Sequence, residues 1–328
     1  MIREVVELLR NFCRERFALI SDGDIDGILG ASLVSMKLYE LGCYDNVESI
    51  SYPTPGSLVN TIIPRSVLIE LPPSRGYIVG AEALIFDHHE FTGVKLVGRG
   101  GEVFASYLIE TIYPSVSSMI LEILGVEVPK ELDPILRAAD LIDSGKSRED
   151  EWAWTLHRAY LFHIEDQQMR KDLYRWIMNK EIDSILRWAE EGAKGYEKSR
   201  EKIPEIIGRT WIASGLAISW IDPRSKEEKT AMREAMLELE KKHEIVLILE
   251  VEENLVRRIH IGSINKHVKP IIDKILEDLR RRKITASGGG RTNVGGIQIP
   301  AGIELRELME IIEKIGIKTC HDNPVQGC

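Results

Sequence analysis

Short apolar segments alternate with amphipathic stretches over the first 150 residues of the chain. Runs rich in Ile, Val and Leu, several of which end at proline, indicate strands. These runs lie at 17–21, 47–52, 66–70, 84–87 and 94–97. Stretches with helical periodicity lie at 2–15, 27–41, 103–112, 115–124 and 131–143. This alternation predicts an α/β domain whose mainly parallel sheet is covered by helices.

The pattern changes twice further along the chain. From about 150 to 202 the sequence is helical and rich in Trp, without a strand pattern. From about 208 strands return, and the sequence predicts a second, smaller α/β domain. Its elements are strands at 210–221, 244–251 and 296–299, an edge strand at 256–262 and a helix at 267–282. We therefore place the domain boundaries at 1–150, 151–207 for a helical connector, and 208–328.

Composition narrows the class of protein. With 44% hydrophobic and 29% charged residues, the chain is expected to be globular and soluble. No apolar run approaches the roughly 20 residues of a membrane span, and the N-terminal segment lacks the apolar core of a signal peptide. Four cysteines, at 13, 43, 320 and 328, do not suggest a disulfide framework. These features predict a cytoplasmic enzyme without a membrane partner.

Charge is distributed unevenly. The net charge of −9 argues against broad, non-specific affinity for nucleic acid. Between Arg257 and Arg291, however, ten Lys or Arg residues face three Asp or Glu residues. This stretch is either a local basic surface or a solvated helix face, and both interpretations stay open.

Acidic and imidazole side chains follow three of the predicted strands. The first strand runs into Asp22, Asp24 and Asp26, in a loop that opens a helix. Glu70 closes a second strand, and the triplet Asp87-His88-His89 closes a third. Buried charge is costly unless it is paired or binds a metal. Because ligands bind beyond the carboxyl ends of strands in open α/β sheets, the pattern predicts a site at this edge.

The residue types indicate which metal such a site would hold. Asp140 and Asp143, at the end of a predicted helix, add two more carboxylates that share a helix face. Carboxylates outnumber imidazoles, and no cysteine joins them. This mixture suits Mn²⁺ or Mg²⁺ and argues against a structural zinc site.

Together these motifs resemble the DHH phosphoesterase superfamily, which includes RecJ-type exonucleases, nanoRNases and cyclic-dinucleotide phosphodiesterases. The segments 22–27 and 87–89 are similar to the metal motifs of its N-terminal domain. The segment 288–296 contains an Arg-x-x-x-Gly-Gly pattern and resembles the glycine-rich motif of its C-terminal, DHH-associated domain. The resemblance spans nearly the whole chain. It implies a catalytic domain at 1–150, a helical connector and a substrate-binding domain at 208–328.

The resemblance also implies a set of metal ligands. These are Asp22, Asp24, Asp26, Glu70, His88 and Asp143, with Asp140 as the second choice for the last acid. Asp24 and Asp26 would bind one metal each. Asp22 stands where the family usually has histidine, and Glu70 stands where it has the Asp that bridges two metals. His88 would be a ligand, while His89 would face the substrate phosphate and Asp87 would orient the site.

For the second domain, the resemblance implies binding of a substrate phosphate. Arg291 would supply a planar fork of donors for it. Gly295 and Gly296 would let backbone N–H groups approach the anion as a nest, with Gly290 and Asn293 beside them. A flexible turn between strands is the other interpretation of these glycines.

The expected function is hydrolysis of phosphodiester bonds, in which two Mn²⁺ ions (or Mg²⁺) activate water. The first expectation is an exonuclease or oligonucleotidase that degrades single-stranded DNA or RNA stepwise from an end. A phosphodiesterase for linear or cyclic dinucleotides is the alternative within the same chemistry. A catalytically weak scaffold in a replication or repair complex is an alternative of another class. Single-stranded nucleic acid, a repair protein such as a helicase, and a second copy of the chain are the candidate partners.

Overall fold

The computed structural model describes residues 2–53, 55–58, 60–73, 76–290 and 292–315. The chain divides into two compact units, Met1–Ala193 and Lys194–Cys328. Each unit contains a six-stranded sheet with helices packed on it, which confirms the predicted α/β class with two domains. Within the described ranges, no helix is both long and apolar enough to cross a membrane.

The first unit contains a mixed but mainly parallel sheet. Its strands are β1 (Phe17–Ser21), β2 (Val47–Ser51), β3 (Ile62–Ile63), β4 (Ser66–Ile69), β5 (Ile78–Val79), β6 (Glu82–Asp87), β7 (Gly93–Gly98) and β8 (Val103–Leu108). Six of them form a sheet in the order β2-β1-β4-β6-β7-β8, while β3 and β5 form a separate pair. The first four strands of the sheet are parallel, and β7 and β8 are antiparallel. β1 and β4 are buried along their whole length, as their continuous apolar runs predict.

Helices cover this sheet. They are α1 (Ile2–Phe12), α2 (Ile25–Glu40), α3 (Val116–Leu124), α4 (Asp133–Asp143), α5 (Glu151–Phe162) and α6 (Gln167–Asn179), and α7 (Ile182–Arg200) extends past the boundary of the unit. Asp24 caps α2, because its side chain accepts a hydrogen bond from the backbone N–H of Gly27. α2 packs against α3, α4 and α6 as well as the sheet. It is therefore buried on nearly all sides, which explains its apolar sequence.

The helix predicted at 103–112 is wrong, since the segment forms strand β8. β8 pairs antiparallel with β7, and the exposure of its side chains largely alternates along the strand. Its sequence, Val-Phe-Ala-Ser-Tyr-Leu, is rich in β-branched and aromatic residues, which fit a half-exposed sheet edge. This tertiary pairing outweighed the weak helical periodicity.

The second unit contains a mostly antiparallel sheet. Its strands are β9 (Trp211–Ala213), β10 (Leu216–Ile221), β11 (Val246–Glu252), β12 (Leu255–Gly262), β13 (Ser287–Gly290) and β14 (Val294–Glu304). Its helices are α8 (Ile203–Gly208), α9 (Lys226–Glu240), α10 (Lys269–Arg281) and α11 (Leu305–Ile315). The strand order is β13-β14-β12-β11-β10-β9. α8 and α9 pack on one side of the sheet, and α10 and α11 on the other.

The edge position predicted for 256–262 is also wrong. β12 lies inside the sheet, between β11 and β14. The predicted strand at 296–299 is the middle of β14, whose 11 residues provide enough length to cover β12. The mixture of charged and apolar residues that suggested an edge arises because polar side chains of β12 pair across the sheet, as His260 does with Glu250.

Two cysteines of the first unit form a disulfide. Cys13, just after α1, is bonded to Cys43, between α2 and β2. The sequence predicted no disulfide framework, and this single bridge joins two of the four cysteines. Cys320 and Cys328 lie outside the described residues. The bridge closes a loop with a sequence separation of 30 residues.

Loss of this bridge is expected to lower the free energy of unfolding by about 3–4 kcal/mol, because a closed loop of this length restricts the unfolded chain. Urea denaturation of the oxidised protein, with and without reductant, would measure the change. The double variant Cys13→Ser/Cys43→Ser should resemble the reduced protein and should not respond to reductant. Equal midpoints for oxidised and reduced protein would contradict the prediction.

Candidate metal centre

Three neighbouring parallel strands deliver polar side chains to the same edge of the first sheet. Asp22 and Asp24 follow β1, Glu70 follows β4, and His88 and His89 follow β6. In the sheet β4 lies between β1 and β6. The carboxyl ends of these strands therefore meet, as the sequence pattern predicts.

These side chains form two clusters that share one residue. The first cluster comprises Asp22, Asp24 and Glu70, and the second comprises Glu70, His88, His89 and Asp143. In each cluster one ligand atom per residue lies within 4.8 Å of all the others. His88 Nε2 lies 3.1 Å from Asp143 Oδ2 and 3.4 Å from Glu70 Oε1. Glu70 is thus placed between the two groups.

Glu70 is in an unfavourable environment for a carboxylate. Glu70 is 1% exposed, and neither of its carboxylate oxygens accepts a hydrogen bond within the described part of the chain. Burial, followed by the charges of Asp24, Asp26 and Asp22, raises the pKa of Glu70 well above its usual range. Its backbone is also left-handed, with φ of 57°, a conformation that non-glycine residues seldom adopt. Such strain is typical of functional positions.

His88 has the geometry of a metal ligand. Its Nδ1 lies 3.3 Å from the carbonyl oxygen of Tyr113. If Nδ1 carries the proton, the lone pair of Nε2 faces the oxygens of Glu70 and Asp143. Burial alone would lower the pKa of His88, but hydrogen bonding to Asp143 and the charge of Asp26 raise it. A cation at this point would bind Nε2 of His88 and the oxygens of Glu70 and Asp143. It would take the place of a proton on Nε2.

The donor set therefore fits divalent cations of the hard type. Within the described ranges, the buried atoms without hydrogen-bond partners include both carboxylate oxygens of Glu70. Burial and the nearby charge of Asp143 also raise the pKa of Asp24, although its bond to the N–H of Gly27 opposes this. Oxygen ligands with one or two imidazoles, and no thiolate, are typical of Mn²⁺ and Mg²⁺ sites.

Asp26, the third predicted ligand of this loop, lies in neither cluster. Its two oxygens accept hydrogen bonds from the backbone N–H groups of Val116, at 2.6 Å, and Ser117, at 3.0 Å. These groups begin α3, where backbone N–H groups have no partner within the helix and the helix dipole favours an anion. Burial and the charge of Asp24 raise the pKa of Asp26 to about 7, against these hydrogen bonds. Asp26 thus caps α3 from 90 residues away, and its role as a metal ligand stays a prediction.

Asp26→Ala is therefore expected to lower the free energy of unfolding by about 2–4 kcal/mol, because two buried N–H groups lose their acceptor. Asp133→Ala is the matched control. Asp133 is also an acid in the first turn of a helix, α4, but it is exposed, so its loss should cost less than about 1 kcal/mol. Urea denaturation in chelator would compare the two, and similar small effects would contradict the capping role.

The structure separates Asp140 from Asp143. Asp140 Oδ1 accepts hydrogen bonds from the hydroxyls of Ser115 and Ser118, so Asp140 fastens α4 to the start of α3. Asp143 lies one turn further along α4 and faces His88. Asp140, the second choice of the sequence, is therefore placed outside both clusters.

Asp87 supports the turn that carries the two histidines. It is fully buried at the end of β6, and its Oδ1 accepts hydrogen bonds from the backbone N–H groups of His89 and Glu90, both at 2.8 Å. These contacts restrain the backbone at both histidines. Its catalytic contribution stays a prediction.

In the second unit, the glycines of the predicted anion nest lie in two paired strands. Gly295 and Gly296 lie in the extended strand β14, and Gly290 lies in β13. A Cβ atom on Gly290 would lie 2.4 Å from the Cα atom of Gly295, and one on Gly296 would lie 2.8 Å from the carbonyl oxygen of Ile259. Glycine is therefore required for close strand packing. The substrate-binding role of these glycines stays a prediction.

Two polar residues of the same segment, Asn293 and Arg291, are also predicted to bind the substrate. Asn293 donates from its side-chain amide to the carbonyl oxygen of Ile264 at 2.8 Å, and so fastens the loop before α10. Arg291, the predicted phosphate ligand, lies outside the described residues.

The first unit also contains a contact that the sequence did not indicate. Arg170, on α6, donates a hydrogen bond to the carbonyl oxygen of Gly23, between Asp22 and Asp24. The two residues are 147 positions apart, so no local motif could reveal the pairing. A single Arg in an amphipathic helix is ordinarily a surface residue.

Comparison with known proteins supports the fold. The sequence matches no family model, and a search of curated proteins gave no match. Among solved structures, the chain is similar to RecJ from Thermus thermophilus in complex with Mn²⁺, with a TM-score of 0.59 and 14% identity. The match covers 96% of this chain and 54% of RecJ, so the chain spans about half of that protein.

Two further structures are similar over most of both chains. The DHH domain of a member of a family of ribosomal proteins has a TM-score of 0.51 and 11% identity, over 97% of this chain and 90% of that one. CDC45 from Entamoeba histolytica has a TM-score of 0.51 and 9% identity, over 95% and 98%. The chain therefore shares the fold of these structures, which is the fold that the resemblance to the DHH superfamily implies.

Proposed function

We propose that the chain is a phosphoesterase that uses two divalent cations, Mn²⁺ or Mg²⁺, to hydrolyse phosphodiester bonds in single-stranded nucleic acid or short oligonucleotides. The position of Glu70 carries this proposal. Its buried carboxylate has no hydrogen-bond donor among the described residues and is shared by two groups of potential ligands, which suits a residue that bridges two cations. The similarity in fold to a RecJ structure that contains Mn²⁺ supports the same interpretation.

The proposed ligands form two sets, one for each cation, that share Glu70. Asp22, Asp24 and Glu70 would hold one cation, and Glu70, His88 and Asp143 would hold the other. When bound, the cations would polarise the phosphoryl oxygens and lower the pKa of the attacking water. This set omits Asp26, whose oxygens are engaged by α3.

His89 is the residue best placed to meet the substrate. Its side chain is 53% exposed, whereas that of His88 is 7% exposed. Its ring packs edge-on against His88, with 4.2 Å between the ring centres. An exposed imidazole beside the cations can donate a hydrogen bond to a phosphoryl oxygen and stabilise charge that develops there.

The proposed polymeric substrate is supported by charge in the second unit. Lys and Arg dominate the stretch 257–291 although the whole chain has a net charge of −9. Several of these side chains form ion pairs with acids of the same unit, namely those of Arg257, Arg258, Lys266, Lys269, Arg281 and Arg282. An excess of basic residues in one stretch of an acidic chain would favour a polyanion bound at one place over general adhesion to nucleic acid.

The test uses 5′-labelled and 3′-labelled single strands of about 10–20 nucleotides, incubated with Mn²⁺ and with chelator, and linear and cyclic dinucleotides in parallel. Release of short products from one end, abolished by chelator and by Asp24→Asn, is the expected result. Turnover of dinucleotides alone would restrict the substrate to small nucleotides. Tight binding of strands without turnover under any divalent cation would contradict the enzymatic proposal and support a scaffold.

A further inference from the structure

Arg170 is buried where a surface residue would be expected. It is 4% exposed, although it belongs to the helix α6 with several charged residues. Its Nε donates to the carbonyl oxygen of Gly23 at 2.8 Å, and its Nη2 donates to that of Ile164 at 2.5 Å. Its Nη1 is buried without a hydrogen-bond partner among the residues that the structure describes. Burial of a guanidinium is costly, so stability alone is a poor reason for this arrangement.

The contact is made to the turn that carries two of the proposed ligands. Gly23 lies between Asp22 and Asp24 and has a φ of 85°, a left-handed conformation. A Cβ atom at this position would lie 2.8 Å from Cβ of Tyr52 and 2.9 Å from Cδ and Nε of Arg170. The turn therefore rests directly on the arginine side chain, and only glycine allows this approach.

The guanidinium and the carboxylates also share one electrostatic environment. Tyr160, on α5, is affected by both. Burial and the charge of Asp24 raise the pKa of its hydroxyl, while Arg170 lowers it. The charges of Arg170 and Asp24 thus act on the same buried hydroxyl.

We propose that Arg170 is a positioning residue of the metal centre. By holding the carbonyl of Gly23, it fixes the backbone of the turn and hence the directions of the Asp22 and Asp24 carboxylates. The second bond, to Ile164, orients the guanidinium itself, since its planar fork can serve two carbonyls at once. The helices α5 and α6 would in this way take part in metal binding without supplying a ligand. This inference rests on the proposed metal site.

The test measures binding of Mn²⁺ alone to metal-free protein, by calorimetry and by the electron paramagnetic resonance signal of the free ion. Arg170→Met is expected to weaken Mn²⁺ binding by at least about 10-fold, in the range typical of residues that support metal ligands. Arg170→Lys keeps the charge but lacks the planar fork, so it should bind Mn²⁺ with intermediate affinity. Arg175→Met is the matched control, because Arg175 is on the same helix but is 57% exposed. Its Mn²⁺ affinity should equal that of the wild type.

The outcomes separate this inference from the proposed function. If the wild-type protein binds no Mn²⁺, the proposed function fails. If the wild type binds Mn²⁺ and Arg170→Met binds it equally well, with only a lower melting temperature, Arg170 is merely structural and the inference is overturned. Should Arg170→Met not fold, Arg170→Lys decides, since wild-type affinity in that variant would also overturn the inference.

Discussion

Glu70→Gln is expected to abolish the stabilisation of the protein by Mn²⁺ and to make the metal-free protein more stable. Glu70 is buried beside Asp22 and Asp24 without hydrogen-bond donors of its own within the described ranges. Its raised pKa means that ionisation at neutral pH opposes folding when no cation is bound. Glutamine removes this repulsion, but it also removes the carboxylate shared by the two clusters.

Thermal unfolding in chelator and in excess Mn²⁺ would measure both effects at once. The wild type should melt higher with Mn²⁺, because a ligand that binds only the folded state stabilises it. Glu70→Gln should melt higher than the wild type in chelator and should show no shift with Mn²⁺. Hydrolysis should fall by at least about 100-fold.

Glu48→Gln provides the control, since Glu48 is exposed on β2 and pairs with Arg16 at the surface. It should behave as the wild type in both conditions. A wild-type Mn²⁺ shift in Glu70→Gln would exclude Glu70 as a shared ligand and, with it, the two-cation proposal.

Gly27→Ala is expected to disable the metal centre although it removes no ligand. A Cβ atom on Gly27 would lie 2.4 Å from Oγ of Ser21, 2.5 Å from Oδ1 of Asp22 and 3.1 Å from Oε2 of Glu70. The added methyl group would therefore displace carboxylates of both clusters. We expect Mn²⁺ affinity to fall by at least about 10-fold. The clash should lower the stability of the fold, whereas the intrinsic preference of helices for Ala over Gly, about 1 kcal/mol, should raise it.

Gly30→Ala is the matched control one turn further along α2. Its Cβ atom would lie 3.1–3.2 Å from methyl groups of Ile69, Ile120 and Val116, and not from any proposed ligand. This variant should lose stability through overpacking while its Mn²⁺ affinity stays unchanged. If both variants bound Mn²⁺ as the wild type does, Asp22 and Glu70 would not be the ligands that the proposal requires.

Local sequence was sufficient to locate the strands that carry the centre. β1, β4 and β6 are continuous apolar runs that are followed by acids or histidines. Such runs can be recognised without knowledge of the neighbouring strands, because parallel strands that are buried on both faces do not alternate between apolar and polar residues. The helix predicted for β8 and the edge position predicted for β12 were wrong because both features depend on neighbouring strands. An exposed strand and an interior strand with polar pairs both depend on their neighbours in the sheet, and sequence periodicity does not report which strand lies alongside.

The residue types at the ends of β1, β4 and β6, and hence the prediction of a hard divalent cation, come from the sequence alone. Only the tertiary structure decided which partner each of the polar residues near this edge contacts. Asp26 caps α3, Asp140 binds two serines, Asp143 faces His88, and Gly23 rests on Arg170. A carboxylate has the same chemistry in each of these positions. Its role depends on the partner that folding brings to it, and that partner is often distant along the chain.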